Sequence, residues 1–194
     1  LKTKPTQHSV KELREIGVQP DLLLCRTDRP LDRKVKDKIA LFCNVGREDV
    51  FDVPDVDTVY ELPLIFEREG MGKRLLDQLG LRAKDPDFSQ WQSVVRKIKH
   101  PTGTVKILIA GKYVEVRDSY KSIIESFVHA GAFHGVKVEL KWVEAEEFEH
   151  GDAKELMAGC SGLLVPGGFG ERGIEGKITA IQYARTRGVP FFGI

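Results

Sequence analysis

Gly168, Gly170 and Gly173 stand at G-x-G-x-x-G spacing just after the apolar run Gly162-Leu163-Leu164-Val165. Glycines so placed between a strand and a helix bring bare backbone N–H groups close to something negative. A dinucleotide pyrophosphate is one candidate, but it also calls for an acidic residue about 20 positions further on, to hold a ribose hydroxyl. No Asp or Glu follows Glu175, so the dinucleotide reading fails. A P-loop fails as well: Gly170 to Gly176-Lys177 has one residue too many, with Ile178 where a Mg²⁺-binding Ser or Thr belongs. Two readings of Pro166-Gly167-Gly168-Phe169-Gly170 stay open. The loop is either a tight turn without chemistry or a backbone oxyanion hole, with N–H donors aimed at a developing negative oxygen.

A second cluster is Lys2-Thr3-Lys4-Pro5-Thr6-Gln7. Two ammonium groups, two hydroxyls and an amide suit a triphosphate, while the same residues taken alone also describe a solvated basic tail before a helix. In a third cluster, Arg26, Arg29, Arg33, Lys34, Lys36 and Lys38 are interleaved with Asp28, Asp32 and Asp37. That is the pattern of a solvated helix face, and spacing singles out no ligand-binding member. The five histidines are scattered, without zinc spacing or a neighbouring nucleophile. Cys25, Cys43 and Cys160 are odd in number and lack metal spacing. Cys25 and Cys160 lie beside apolar runs and read as buried, inert thiols in a reducing, cytoplasmic setting.

The elements that must position these residues alternate. A capping box at Ser9 and Glu12 predicts a helix through Ile16, with Gly17 just past its end. Leu22 to Cys25 reads as a buried strand. Asp32 to Cys43 reads as a helix burying Val35, Ile39 and Phe42. Val50 to Val53 alternates as a strand, and Asp57 precedes a helical stretch towards Gly70. Two short amphipathic helices follow, near Arg74–Leu79 and Phe88–Ile98, in a linker over 71–103 that packs on a neighbour. Beyond it the expectation is a strand at Val105 to Ala110, a helix capped by Asp118-Ser119, a strand at Val136 to Val143 and a short helix at Ala153 to Ala158. A strand at Gly162 to Val165, a helix at Ile174 to Arg187 and a strand at Val189 to Phe192 complete the series. Strands separated by helices of this length imply parallel sheets covered on both faces, a doubly wound α/β class.

Bulk properties narrow the partners. A chain of 194 residues, 41% hydrophobic and 30% charged, has the composition of an ordinary globular protein with one large or two smaller domains. The net charge of +1 gives no bulk attraction for nucleic acid or a membrane surface. No apolar stretch approaches the length of a membrane span, and the first residues lack a signal-peptide core. With no initiating Met and an apolar, strand-like end at Pro190 to Ile194, the chain reads as a piece of something longer.

Four stretches in order resemble the CTP synthase family: Lys2 to Val10, Lys38-Ile39-Ala40-Leu41-Phe42-Cys43, Gly111-Lys112-Tyr113-Val114 and Pro166-Gly167-Gly168-Phe169-Gly170. The resemblance implies the end of a P-loop-type ATP-dependent synthetase domain at 1–70, an interdomain linker at 71–103 and the first part of a flavodoxin-like class I glutamine amidotransferase domain at 104–194. It implies a ligase that phosphorylates UTP at O4 with ATP and Mg²⁺, then displaces the phosphate with ammonia from glutamine to give CTP. GTP would activate, CTP would inhibit, and the enzyme would be a homotetramer. Lys2, Thr3, Lys4, Pro5, Thr6, Gln7 and Lys38 fall on the segments that hold UTP or CTP. Pro54, Asp55 and Val56 fall on the segment that packs against the ATP adenine. Gly168, with Gly167 beside it, falls on the loop that binds glutamine and supplies an oxyanion N–H. The nucleophilic cysteine is expected immediately after Ile194, and the P-loop and Mg²⁺ ligands before Leu1, so no catalytic or metal-ligating residue is assigned within the chain. The competing reading is a non-catalytic UTP/CTP-binding and subunit-contact fragment.

Overall fold

Pro5 sits in the first turn of the opening helix, α1 (Lys4–Glu15), where its missing N–H is no loss. The capping box expected at Ser9 and Glu12 does not form, because the helix already starts at Thr3. There Gln7 donates its side-chain amide to Thr3 Oγ1 at 3.0 Å. The far end agrees with the sequence: the Gly17 N–H donates to the Arg14 carbonyl at 2.9 Å. The computed structural model describes residues 2–112, 114, 117–168 and 170–194, in two compact units, Leu1–Gln92 and Ser93–Ile194.

In the first unit β1 (Leu23–Thr27) and β2 (Val50–Pro54) pair in parallel, with Leu23 opposite Val50. The crossover between them is α2 (Arg33–Cys43), whose N-cap Asp32 accepts the Val35 N–H at 2.8 Å. Val10, Leu23, Cys25, Ile39, Ala40, Cys43 and Val50 form the core. Phe42, expected on the buried face, is 57% exposed, whereas Cys43 is 0% exposed. Ile39, Ala40 and Cys43 are adjacent on a helix surface, which turns Phe42 to the outside. Beyond β2 lie α3 (Leu62–Arg68), α4 (Met71–Leu79) and α5 (Ser89–Lys99). The division between the units falls within α5.

The second unit runs β3 (Gly103–Gly111), α6 (Lys121–His134), β4 (Val136–Glu144), α7 (Glu147–His150), α8 (Ala153–Leu156), β5 (Gly162–Val165), α9 (Ile174–Arg187) and β6 (Phe191–Gly193). All four strands are parallel, in the order β4-β3-β5-β6. Counted within the unit that is second, first, third, fourth, the flavodoxin-like order. Leu108, Ala110, Val143, Phe148, Leu163, Val165, Ala180 and Ala184 pack one face of the sheet. Asp118-Ser119, expected to cap α6, lie inside a 3₁₀ turn over Arg117–Tyr120, and Tyr120 occupies the N-cap. No helix was expected at α7, which carries Phe148 into the core at 1% exposure.

Candidate functional site

Strand order in the second unit reverses between β3 and β5, and open α/β sheets bind ligands beyond the carboxyl ends of the strands at such a switch point. Two loops leave the sheet there, one from Lys112 after β3 and one from Pro166 after β5. Pro166 is buried, while Gly167 and Gly168 are exposed. Among the described residues, no group accepts the Gly167 or Gly168 N–H. Gly170 has φ +80° and Gly173, at the N-cap of α9, has φ +73°, both in the region that favours glycine. Ile194, at the end of β6, donates its N–H to Val165 at 3.0 Å. Its carbonyl oxygen lies 3.6 Å from where a Gly167 Cβ would be. Tyr113 and Phe169, members of the sequence motifs, lie outside the described residues.

Two lysines reach this loop. Lys112, 6% exposed, donates from Nζ to the Gly170 carbonyl at 2.8 Å. Lys177, on α9, donates from Nζ to the Pro166 carbonyl at 3.1 Å. Burial, with the nearby Lys112 charge, holds the Lys177 ammonium below its ordinary range. The turn after β3 is fixed in place by Arg172, which donates to the Lys112 carbonyl at 2.9 Å and pairs with Glu146 at 3.2 Å. Neither lysine was assigned from sequence. They are far apart in the chain, and only the parallel pairing of β3 with β5 makes them neighbours of one loop.

In the first unit, an open cavity of about 600 Å³ is lined by Lys2, Thr3, Lys4, Asp32, Lys34, Val35 and Lys38. The packing of α1 against α2 thus joins Lys38 to the N-terminal segment. Pro5 and Thr6 do not line this cavity, and Gln7 lines a neighbouring one with Val10, Lys11, Arg14, Glu15 and Phe42. Lys34 was not distinguished in the sequence. It joins Lys38 at i,i+4 spacing, so both ammonium groups rise from one face of α2.

Pro54, Asp55 and Val56 lie at the carboxyl end of β2. Asp55 donates its N–H to the Thr27 carbonyl at 3.1 Å and accepts from Arg26 Nε at 3.1 Å. Among the described residues, no group of three His, Cys, Asp or Glu side chains is placed to hold a metal ion. No helix there is long and apolar enough to cross a membrane. Burial raises the thiols of Cys25, Cys43 and Cys160 above their ordinary range, which disfavours the nucleophilic thiolate. Cys25 and Cys43 are buried, and Cys160 is half-buried.

A flavodoxin-like sheet with a glycine loop at its switch point makes the second unit an open α/β ligand-binding domain. Residues 115–194 match the family profile described as glutamine amidotransferase class-I, and residues 1–81 match that of the CTP synthase N-terminus. The CTP synthase of Acidobacterium capsulatum is 53% identical over 194 residues, covering 100% of this chain and 35% of that protein. That of Methanopyrus kandleri is 54% identical over 196 residues, covering 100% and 37%. Among solved structures, the Trypanosoma brucei CTPS glutaminase domain with bound acivicin is 39% identical, covering 46% of this chain and 35% of that one, with a TM-score of 0.43. The chain belongs to the CTP synthase family. It spans little more than a third of the length of these curated relatives.

Proposed function

We propose that the chain is part of a CTP synthase, a glutamine-dependent C–N ligase that aminates UTP to CTP at the expense of ATP. In this reading residues 1–70 end the synthetase domain, 71–103 are the linker and 104–194 begin the amidotransferase domain. The observation that carries it is the cavity shared by Lys2, Thr3, Lys4 and Lys38. Lys2, Lys4, Lys34 and Lys38 around one opening suit the phosphates of UTP, or of CTP bound as feedback inhibitor. Pro5, Thr6 and Gln7 would shape the same segment, and Pro54, Asp55 and Val56 would meet the ATP adenine at the end of β2.

In the second unit, the exposed N–H groups of Gly167 and Gly168 would hold the oxyanion formed when a cysteine thiolate attacks the glutamine amide. That cysteine is expected directly after Ile194, whose carbonyl already adjoins Gly167. Ammonia released there would displace phosphate from O4-phosphorylated UTP. Mg²⁺, which assists ATP in this family, would be held by residues outside this chain. GTP activation, a homotetramer and a cytoplasmic setting complete the reading.

The test is CTP affinity in the complete protein after Lys38→Ala. Loss of one charge-assisted phosphate contact should raise Kd about 10-fold, or about 1.4 kcal/mol. Unchanged affinity would falsify the assignment of this cavity to the nucleotide.

A further inference from the structure

We infer that Lys112 and Lys177 are positioning residues that clamp the glycine loop from both ends, so that its N–H groups are held ready for an oxyanion. This rests on the oxyanion reading of the loop proposed above. The geometry supplies the reason. No peptide bond among the described residues is cis, and a planar trans peptide directs its carbonyl and the following N–H to opposite sides. Lys177 Nζ binds the Pro166 carbonyl at 3.1 Å, so it fixes the N–H of Gly167, which belongs to the same peptide plane, pointing away from the ammonium group. Lys112 Nζ binds the Gly170 carbonyl at 2.8 Å and fixes the other end.

Gly168 is held between them. A Cβ on Gly168 would lie 3.4 Å from Lys177 Nζ and 3.6 Å from Lys112 Cδ, so the loop backbone rests directly on the two lysine side chains. An ammonium group on a carbonyl also polarises that peptide, which strengthens its N–H as a donor. Two positive charges beside the loop favour negative charge developing over it. Drawing two like charges out of water is costly, and Lys177 carries the mark of it in a lowered affinity for its proton. Apolar side chains would fill this space at less cost, which argues for a role other than packing.

The test uses the complete protein, with glutamine-dependent and ammonia-dependent CTP formation measured side by side. Lys177→Met keeps most of the length of the side chain and removes its charge. It should lower kcat with glutamine about 10-fold to 100-fold, with little change in KM for glutamine and none in the ammonia-dependent rate. Lys177→Arg should restore most of the loss. If Lys177→Met leaves glutamine-dependent kcat intact, or lowers both rates equally, the clamp is overturned. Lys112→Met provides an independent arm if Lys177→Met does not fold, and should lower glutamine-dependent kcat alone because it removes the hydrogen bond to the Gly170 carbonyl; an unaltered kcat there also counts against the clamp. Gly168→Pro, which removes one loop N–H and fixes φ, separates this inference from its premise. It should abolish glutamine-dependent turnover and spare ammonia-dependent turnover. Loss of glutamine turnover in Gly168→Pro but not in the lysine variants removes the clamp and leaves the oxyanion reading standing. No selective loss in Gly168→Pro removes both.

Discussion

Asp49 is 4% exposed, and buried carboxylates persist only where donors surround them. Its donors are Arg74 Nε on Oδ1, Arg74 Nη2 on Oδ2 at 2.9 Å, and Gln78 Nε2 on Oδ1 at 2.8 Å. Arg74 and Gln78 lie one turn apart on α4, so this carboxylate attaches α4 to the start of β2. The Arg74 hydrogen bond is the largest cause holding the Asp49 carboxyl below its ordinary 3.8. The folded form therefore takes up its proton less readily than the unfolded form. The resulting stabilisation is complete above that ordinary value and is lost as pH falls through the lower folded value. Arg74→Met should move the acid-unfolding midpoint, followed by circular dichroism, to higher pH. A midpoint that stays in place would mean that the pair contributes nothing.

At the scale of elements, α9 reaches the turn between β4 and α7 through Gly176. A Cβ there would lie 1.7 Å from the Ala145 carbonyl oxygen, a backbone atom. The helix is held this close because Ala180 and Ala184, both 0% exposed, continue the contact. Gly176→Ala must push α9 off that turn, and an overpacked core contact typically costs about 1–3 kcal/mol. The cost should appear as a lowered urea midpoint with an unchanged m-value, despite the higher helix propensity of alanine. Since Lys177 is the next residue, glutamine-dependent turnover should fall as well. Helix positions in the sequence were clear where apolar spacing was regular, as in α2. The starts of α1 and α6 were not, because neither helix is capped by a side chain. Ser9 with Glu12 and Asp118-Ser119 both had cap chemistry, and in both cases the chain had already turned helical or 3₁₀ around them.

In the whole molecule, each unit buries its own core, around Ile39 and Cys43 in the first and around Leu108 and Phe148 in the second. Leu108 is 0% exposed, so Leu108→Ala should cost about 3 kcal/mol. Amide hydrogen exchange should then quicken in β3, β4 and β5, with β1 and β2 unchanged. Quickening in both sheets would mean that the units unfold as one. The sequence by itself determined the alternation of strands and helices, hence parallel α/β sheets, and the motif order that points to the family. These are local properties: apolar period, turn residues and short motifs survive in one dimension. Tertiary structure alone decided which distant side chains share a site. Strand order put Gly111-Lys112 beside the β5 loop, helix packing put Lys38 and Lys34 beside Lys2 and Lys4, and α9 delivered Lys177 to Pro166. Such meetings depend on which strand pairs with which, and a pairing in space leaves no periodic trace along the chain.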